Sequence, residues 1–157
     1  RLKMKTRVLA CLGAIVLLAG GTAWAATDTD TLNVTATVLS SAQITAVGDI
    51  AFGNYDPSDA TALDNAGSVS VRATTGLAYR IHIGNDRIMT DGTYSLNYEL
   101  YSDAGRTSAW GSDLAGAETY TSTGNAEETY SIYGRVAALQ DVGPGGYSDT
   151  VTITLEW

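Results

Sequence analysis

Short segments in which apolar and polar residues alternate follow one another along most of the chain after residue 25. The clearest is the last, where Val151, Ile153, Leu155 and Trp157 fall on one side and threonine and glutamate on the other. Alternation with a period of two predicts a β-strand with one buried face. The pattern predicts strands at 31–39, 43–47, 67–73, 78–83, 95–101, 129–136 and 149–157.

These segments are rich in Val, Ile, Thr and Tyr and are separated by Gly, Asn, Asp and Pro, which favour turns. No stretch after residue 25 keeps an apolar period of 3.6 residues. The sequence therefore predicts an all-β domain, an antiparallel and immunoglobulin-like β-sandwich. Residues 104–128 are small and polar, and they are predicted to form a long surface excursion.

The first 25 residues have the features of a secretory signal peptide. Four basic residues in the first seven positions precede an apolar run at 8–19, and Ala23-Trp24-Ala25 fits a signal peptidase site. An apolar run of about a dozen residues is shorter than the ~20 that a membrane-spanning helix needs. We expect an exported domain of residues 26–157, with no membrane insertion after the signal is removed.

Removal of the signal makes the chain strongly acidic. Residues 1–25 hold four of the nine basic residues and none of the 17 acidic ones, so the remaining charge is 5 − 17 = −12. Such a surface excludes nucleic acid and anionic membranes as partners. The single cysteine, Cys11, lies within the signal, so the exported domain can form no disulfide.

The sequence predicts no catalytic residue, no metal site and no cofactor. It has no nucleophile elbow, phosphate loop or metal-ligand spacing, and its one histidine, His82, is expected on the outer face of a strand. The most plausible exposed ring is Trp110, in the predicted excursion, and it is a candidate platform for a glycan.

The first segment after the signal also carries clean alternation, with Leu32, Val34, Ala36 and Val38 on one side. Two interpretations remain open from periodicity alone. The segment can be an ordinary edge strand, or it can be donated to the incomplete sheet of another subunit.

Five motifs add a resemblance to a known family. They are FGNYDP at 52–57, YELYSD at 98–103 with Arg106-Thr107 following, Trp110-Gly111, YGRV at 133–136 and GYSDTV at 146–151. With these motifs in this order, residues 32–157 resemble the spore coat protein U family, which includes the major subunits of archaic chaperone–usher pili.

The resemblance implies an incomplete sandwich that another subunit completes. Identical or related pilus subunits, a periplasmic chaperone and an outer-membrane usher would be its partners, and the product would be a fibre at the cell surface. It implies a donor segment at 26–39, with Leu32, Val34, Ala36 and Val38 as its inserted side chains. It places Val151, Ile153, Leu155 and Trp157 on the final strand, beside the groove that accepts the donated strand. On this resemblance, the sequence ends at Trp157 because another subunit is expected to supply the next strand.

One departure from the family concerns a disulfide. The resemblance implies a cysteine pair at positions that correspond here to Ala42 and Ala73. Loss of a native disulfide typically costs ~2–5 kcal/mol.

The alternative function is a self-complete secreted or coat-associated sandwich that binds glycans or another surface, with binding that depends on Trp110.

Overall fold

The computed structural model describes residues 26–84 and 86–157, so the predicted signal peptide lies outside the described residues. The chain divides into two units, residues 1–36 and residues 37–157. In the first unit, the described residues 26–36 form no strand and are all exposed. The second unit contains every strand of the described chain.

The described residues of the second unit contain eight strands and one short 3-10 turn. The strands are β1 (Ala42–Gly48), β2 (Leu63–Ala73), β3 (Ala78–Gly84), β4 (Ile88–Thr90), β5 (Ser95–Tyr101), β6 (Glu118–Thr121), β7 (Glu128–Val136) and β8 (Thr152–Glu156). The 3-10 turn, Leu114–Gly116, is capped by the side chain of Asp113, which accepts a hydrogen bond from the amide of Gly116.

The strands form two antiparallel sheets, with the order β1-β2-β7-β5-β4 in one and β6-β3-β8 in the other. This arrangement confirms the predicted all-β, immunoglobulin-like sandwich. The sandwich is incomplete. Within the described ranges, β1 and β8 each pair with a neighbour on one side only, so each leaves a row of backbone groups open to a further strand.

The core lies between the sheets and follows the alternation of β2 and β3. Val69 and Val71 of β2 and Ile81 and Ile83 of β3 are almost fully buried. Burial of each such side chain contributes roughly 1.5–3 kcal/mol. The core therefore fastens the middle of one sheet to the middle of the other.

The set of observed strands differs from the predicted set by three strands. Strands β4 and β6 were not predicted, and β6 lies inside the segment 104–128 that was expected to be a surface excursion. The predicted strand at 31–39 is absent from the structure. Alternation reports which side of a segment is apolar, whereas a strand also needs a partner for its backbone hydrogen bonds.

The edge strand β1 contains a β-bulge. Ile44 pairs with Val71 and Ala46 pairs with Ser70, so Thr45 is an extra residue on the β1 side. The hydroxyl of Thr45 lies 3.2 Å from the carbonyl oxygen of Ser70 and 2.5 Å from a carboxylate oxygen of Glu127. The bulge shifts the alternation of β1 by one residue.

Candidate functional site

A cleft of about 1290 Å³ opens between the two sheets, at the end where β1 finishes and β8 begins. Its walls are largely apolar and come from both sheets, and they include Ile44, Val47, Leu96, Ile132, Val151 and Ile153. At the opposite end of β1 and β8, Ala42 and Leu155 pack into the hydrophobic core. The cleft is therefore open at one end of these strands and closed at the other.

Val47 shows that the cleft is unfilled. It pairs directly with Val69, and directly opposed residues of an antiparallel pair point to the same face. Val69 is fully buried on the inner face, yet Val47 is 53% exposed. An inward-facing valine that remains exposed indicates an apolar surface that lacks its cover.

The segment that follows β1 lines the cleft and gives a structural reason for two of the motifs. A Cβ atom on Gly134 would lie 2.7 Å from the ring of Phe52, so glycine at 134 lets that ring rest on β7. Tyr55 fastens the segment, because its hydroxyl donates to the carbonyl of Ala137 (2.9 Å) and accepts from the amide of Gln140 (2.8 Å).

A hydrogen bond at the open end of the cleft holds the segment that leads into β8 against β5. The hydroxyl of Tyr98, on β5, donates to the carboxylate of Asp149, three residues before β8, at 2.6 Å. Both residues line the cleft. Burial and the neighbouring carboxylate raise the pKa of Tyr98, so its hydroxyl remains a proton donor.

A second polar cluster joins the sheets at the other end. The hydroxyls of Tyr79 (β3) and Tyr130 (β7) meet at 2.6 Å, and both lie within hydrogen-bond distance of the same carboxylate oxygen of Glu128. The ring of Tyr120, from β6, stacks on Tyr130 at 3.9 Å. Burial raises the pKa values of both Tyr79 and Tyr130. The two sheets are thus tied at this end by tyrosine hydroxyls.

The structure brings two of the four predicted final-strand residues to the cleft. Val151 and Ile153 line it. Leu155 pairs with Ile81 and packs against the core, outside the cleft lining. Trp157 is 60% exposed and borders a separate hollow of about 170 Å³ on β3.

The predicted donor residues are open to solvent. The exposed fractions are 87% for Leu32, 84% for Val34 and 82% for Val38, and Ala36 is also exposed. Their assignment as inserted side chains stays a prediction.

The expectation that Trp110 presents an exposed ring is wrong. Trp110 is only 3% exposed, and its indole nitrogen donates to the carbonyl of Ile81 at 3.3 Å. A buried ring offers no face on which a sugar could stack, so the candidate glycan platform at this position loses its basis. The residue lies in the core because segment 109–111 bonds to both β5 and β3.

His82 lies on the outer face of β3, between the inward-facing Ile81 and Ile83, and its side chain is 15% exposed. Its Nε2 atom is 3.7 Å from a carboxylate oxygen of Glu156.

In the part of the chain that the structure describes, no group of three or more His, Cys, Asp or Glu side chains is placed to hold a metal ion. A search of those same residues finds no helix with the length and apolar character needed to span a membrane.

Sequence reasoning missed three residues of the cleft: Val47, Tyr98 and Asp149. The bulge at Thr45 hides Val47, since it breaks the alternation that marks inward positions. Tyr98 and Asp149 each lie in a family motif, but nothing in the sequence shows that the two motifs meet.

Two sheets with open edges at β1 and β8, and a cleft between them, define an incomplete immunoglobulin-like sandwich. A family model described as the Spore Coat Protein U domain matches residues 28–154. Protein U of Myxococcus xanthus is 32% identical over 175 aligned residues, covering 97% of each chain. The chain therefore belongs to the spore coat protein U family, as the five motifs predicted, and it is a structural protein, not an enzyme.

A solved structure shares the fold. It is the crystal structure of the CsuC–CsuE chaperone–tip adhesion subunit pre-assembly complex from archaic chaperone–usher Csu pili of Acinetobacter baumannii. The match has a TM-score of 0.56 and 21% identity, and it covers 77% of the present chain. The present chain spans 40% of the length of the matched chain.

Proposed function

We propose that the chain is an exported structural subunit of a surface pilus, and that it polymerises when the N-terminal segment of one copy enters the cleft of the next. The observation that carries the proposal is Val47, an inward-facing valine left 53% exposed in an apolar cleft beside two open sheet edges. A donated strand would cover Val47 and supply backbone partners to an open edge.

The comparisons with known proteins support a role in a surface pilus. The solved structure of similar fold is named as a chaperone–subunit complex of archaic chaperone–usher pili. By this likeness and the family, the partners of the chain are related pilus subunits, a periplasmic chaperone and an outer-membrane usher. The chain would pass through the periplasm to a fibre at the cell surface.

The segment 31–38 of a second copy matches β1 in length and the apolar lining of the cleft in chemistry. The six steps from Leu32 to Val38 span about 20 Å at roughly 3.3 Å per residue, close to the length of β1. Burial of three large aliphatic side chains at roughly 1.5–3 kcal/mol each would offset part of the cost of ordering the segment. The residues between them are Asn33, Thr35 and Thr37, which suit the outer face of a strand.

The proposal is tested by a single charge on the donor segment. Val34→Asp would place a carboxylate in the apolar cleft, whereas Thr35→Asp places the same charge on the outer side of the alternation. We expect residues 26–157, produced with a chaperone of this class, to form heat-stable multimers as wild type and as Thr35→Asp. Val34→Asp and a chain without residues 26–38 should give only the chaperone-bound subunit, as seen by gel electrophoresis without boiling.

Multimers that persist in Val34→Asp at wild-type levels would contradict strand donation by this segment. So would a wild-type chain that stays monomeric after the chaperone is removed.

A further inference from the structure

Two glycines leave a bare strip on the inner face of the five-stranded sheet. Gly67 lies two residues from the buried Val69 on β2, and Gly134 lies two residues from the buried Ile132 on β7, so both face inward. Gly67 pairs with Ile132, which makes the two glycines diagonal neighbours on adjacent strands. Because neither position has a side chain, this part of the inner face can admit another segment of chain.

The segment that follows β1 occupies the strip, and we call residues 49–55 the floor segment. A Cβ atom on Gly67 would lie 2.7 Å from Cγ1 of Ile50, and a Cβ atom on Gly134 would lie 2.7 Å from the ring of Phe52. Carbon atoms in contact lie about 3.5–4.0 Å apart. Alanine at either glycine position would therefore displace the side chain that lies above it.

Several contacts hold the floor segment in place. The side-chain amide of Asn65, on β2, donates to the carbonyl of Ala51. The ring of Phe52 packs beside that of Tyr98, on β5, with 6.1 Å between the ring centres. The hydroxyl bonds of Tyr55 fasten the far end of the segment to the chain beyond β7. The floor segment is thus fixed to three parts of the same sheet.

Ile50 and Phe52 define the depth of the cleft above this sheet. Both side chains line the cleft, and both are only half-buried. A side chain that enters the cleft here meets Ile50 and Phe52 before it can reach the backbone of β2 or β7. The floor segment therefore leaves less room for an inserted side chain than the bare sheet would.

The predicted donor carries one small side chain among large ones. Its inward set is Leu32, Val34, Ala36 and Val38. A donor is tethered to its own domain beyond Val38, so that end must remain at the open end of the cleft, and Leu32 must lie farthest inside. The floor segment begins at the open end, where β1 finishes. It therefore underlies the part of the donor that is nearest the tether.

We propose that Ile50 and Phe52 select a small side chain in the donated strand, and that Ala36 is the donor residue that lies on them. The inference rests on the proposed function. Gly67 and Gly134 are positioning residues in this account, because they set the height at which Ile50 and Phe52 lie. A strand with a bulky residue in place of Ala36 is rejected by a clash with this floor.

The proposal is tested by competition between two donor peptides for one acceptor. The acceptor is residues 39–157 held by a chaperone of this class, so it is not empty and has no donor segment of its own. The competitors are peptides of residues 28–38 with different fluorophores, one natural and one with Ala36→Leu. After complete exchange, gel electrophoresis without boiling isolates the subunit–peptide complex and gives the ratio of the labels. This ratio does not depend on how tightly the chaperone binds.

We expect the natural peptide to exceed the Ala36→Leu peptide about tenfold on the wild-type acceptor, the effect of extra methylene groups in a packed site. Phe52→Ala, and the milder Phe52→Leu, lower the floor and should bring the ratio close to one. Recovery of the chaperone complex shows that each variant folds.

Two controls match these substitutions. A peptide with Thr35→Leu carries the same leucine side chain on the outer side of the alternation, and it should compete as the natural peptide does. Ile44→Ala enlarges the cleft at another part of its lining. It should leave the preference for the natural peptide over Ala36→Leu at the wild-type ratio.

The glycine gives an independent readout. Gly134→Ala should push the ring of Phe52 into the cleft, so a peptide with Ala36→Gly should gain on the natural peptide relative to its share on the wild-type acceptor. Phe52→Leu in the same chain should reverse this gain, because the shorter side chain leaves room for the added methyl group. A general loss of packing at Gly134→Ala would not be repaired by a second substitution that removes more contacts.

A ratio close to one on the wild-type acceptor would overturn the floor, and so would a ratio that neither Phe52→Ala nor Phe52→Leu changes. Failure of the natural peptide to enter the wild-type acceptor would overturn strand donation by this segment. The two failures are distinguishable, because the first is a ratio between bound peptides and the second is the absence of any bound peptide.

Discussion

One carboxylate organises the closed end of the sandwich. An oxygen of Glu128 lies within hydrogen-bond distance of the hydroxyls of Tyr79 and Tyr130, at 3.1 and 2.7 Å. The other accepts from the amide and the hydroxyl of Thr123, both at 2.9 Å. These bonds stabilise the ionised form, the Thr123 amide most strongly, and they lower the pKa of Glu128 to about 2.

The lowered pKa predicts how stability depends on pH. Because the folded value is about 2 and the ordinary value is 4.5, the contribution of Glu128 is complete above pH 4.5. It is lost as the pH falls toward 2. We expect Glu128→Gln to lower the melting temperature at pH 7 and to reduce its fall between pH 4.5 and 2, measured by circular dichroism.

The neighbouring carboxylate provides the control for this prediction. Glu127→Gln alters a residue that contacts Thr45, outside the tyrosine cluster. It should leave the pH dependence of the melting temperature close to wild type. Equal pH profiles for Glu128→Gln and wild type would show that the cluster does not depend on an ionised Glu128.

At the scale of elements, the register of β1 and β2 places Ala42 directly opposite Ala73, with both residues 5% exposed. These are the two positions where the family resemblance implies a disulfide. The amide of Thr74 donates to the carbonyl of Ser41, so the adjacent Ala42–Ala73 pair is of the non-hydrogen-bonded type. The Cα atoms of such a pair are about 4.5 Å apart, within the range of ~4.4–6.8 Å that disulfides require.

The register predicts that Ala42→Cys with Ala73→Cys forms a disulfide on export without rearrangement of the strands. Closing the loop between them should stabilise the domain by about 3–4 kcal/mol. Urea unfolding of oxidised and reduced forms would measure this difference. The single variant Ala42→Cys is the control, and free thiols in the oxidised double variant would contradict the register.

The strands that the sequence predicted well are those with one clean buried face. Strand β5 was predicted at its observed bounds, 95–101, because Leu96 and Leu100 face the core while Asn97 does not. Strand β6 has only four residues, all of them Glu, Thr or Tyr, and its neighbours are small and polar, so no local signal separates it from a loop. The segment 31–39 shows the reverse case, in which alternation is present and a partner strand is not.

The residues of the cleft were only partly predictable, because alternation within a strand does not show which distant segments meet. Val151 and Ile153 were identified from the alternation of the last strand, and they line the cleft. Trp110 was misassigned, because a tryptophan among glycine, serine and alanine looks exposed until segment 109–111 is seen to bond with β3 and β5. The Tyr98–Asp149 contact joins residues 51 positions apart, and such distant contacts leave no periodic trace in a sequence.

At the scale of the whole molecule, the expected charge of residues 26–157, 5 − 17 = −12, opposes the approach of identical copies. Salt screens such repulsion, since the Debye length falls from about 30 Å at 0.01 M to about 8 Å at 0.15 M ionic strength. We expect the rate of multimer formation to rise over this range, measured by light scattering after chaperone removal.

A donor peptide without charged side chains separates the effect of salt on charge repulsion from its effect on strand binding. The peptide of residues 31–38, TLNVTATV, carries no charged side chain. With both its termini blocked, its binding should change little with salt. A rate of multimer formation that falls with added salt would show that attraction between opposite charges dominates the encounter of two copies.

The bulge at Thr45 has a consequence for aggregation. A long, flat, open edge strand is a template onto which any extended chain can stack, and repetition of that step produces amyloid-like fibrils. In β1 the ladder shifts between Ile44 and Ala46, so a strand that simply lay along the outer edge would meet a break in its hydrogen bonds. The bulge thereby makes the open edge a poor seed for uncontrolled stacking.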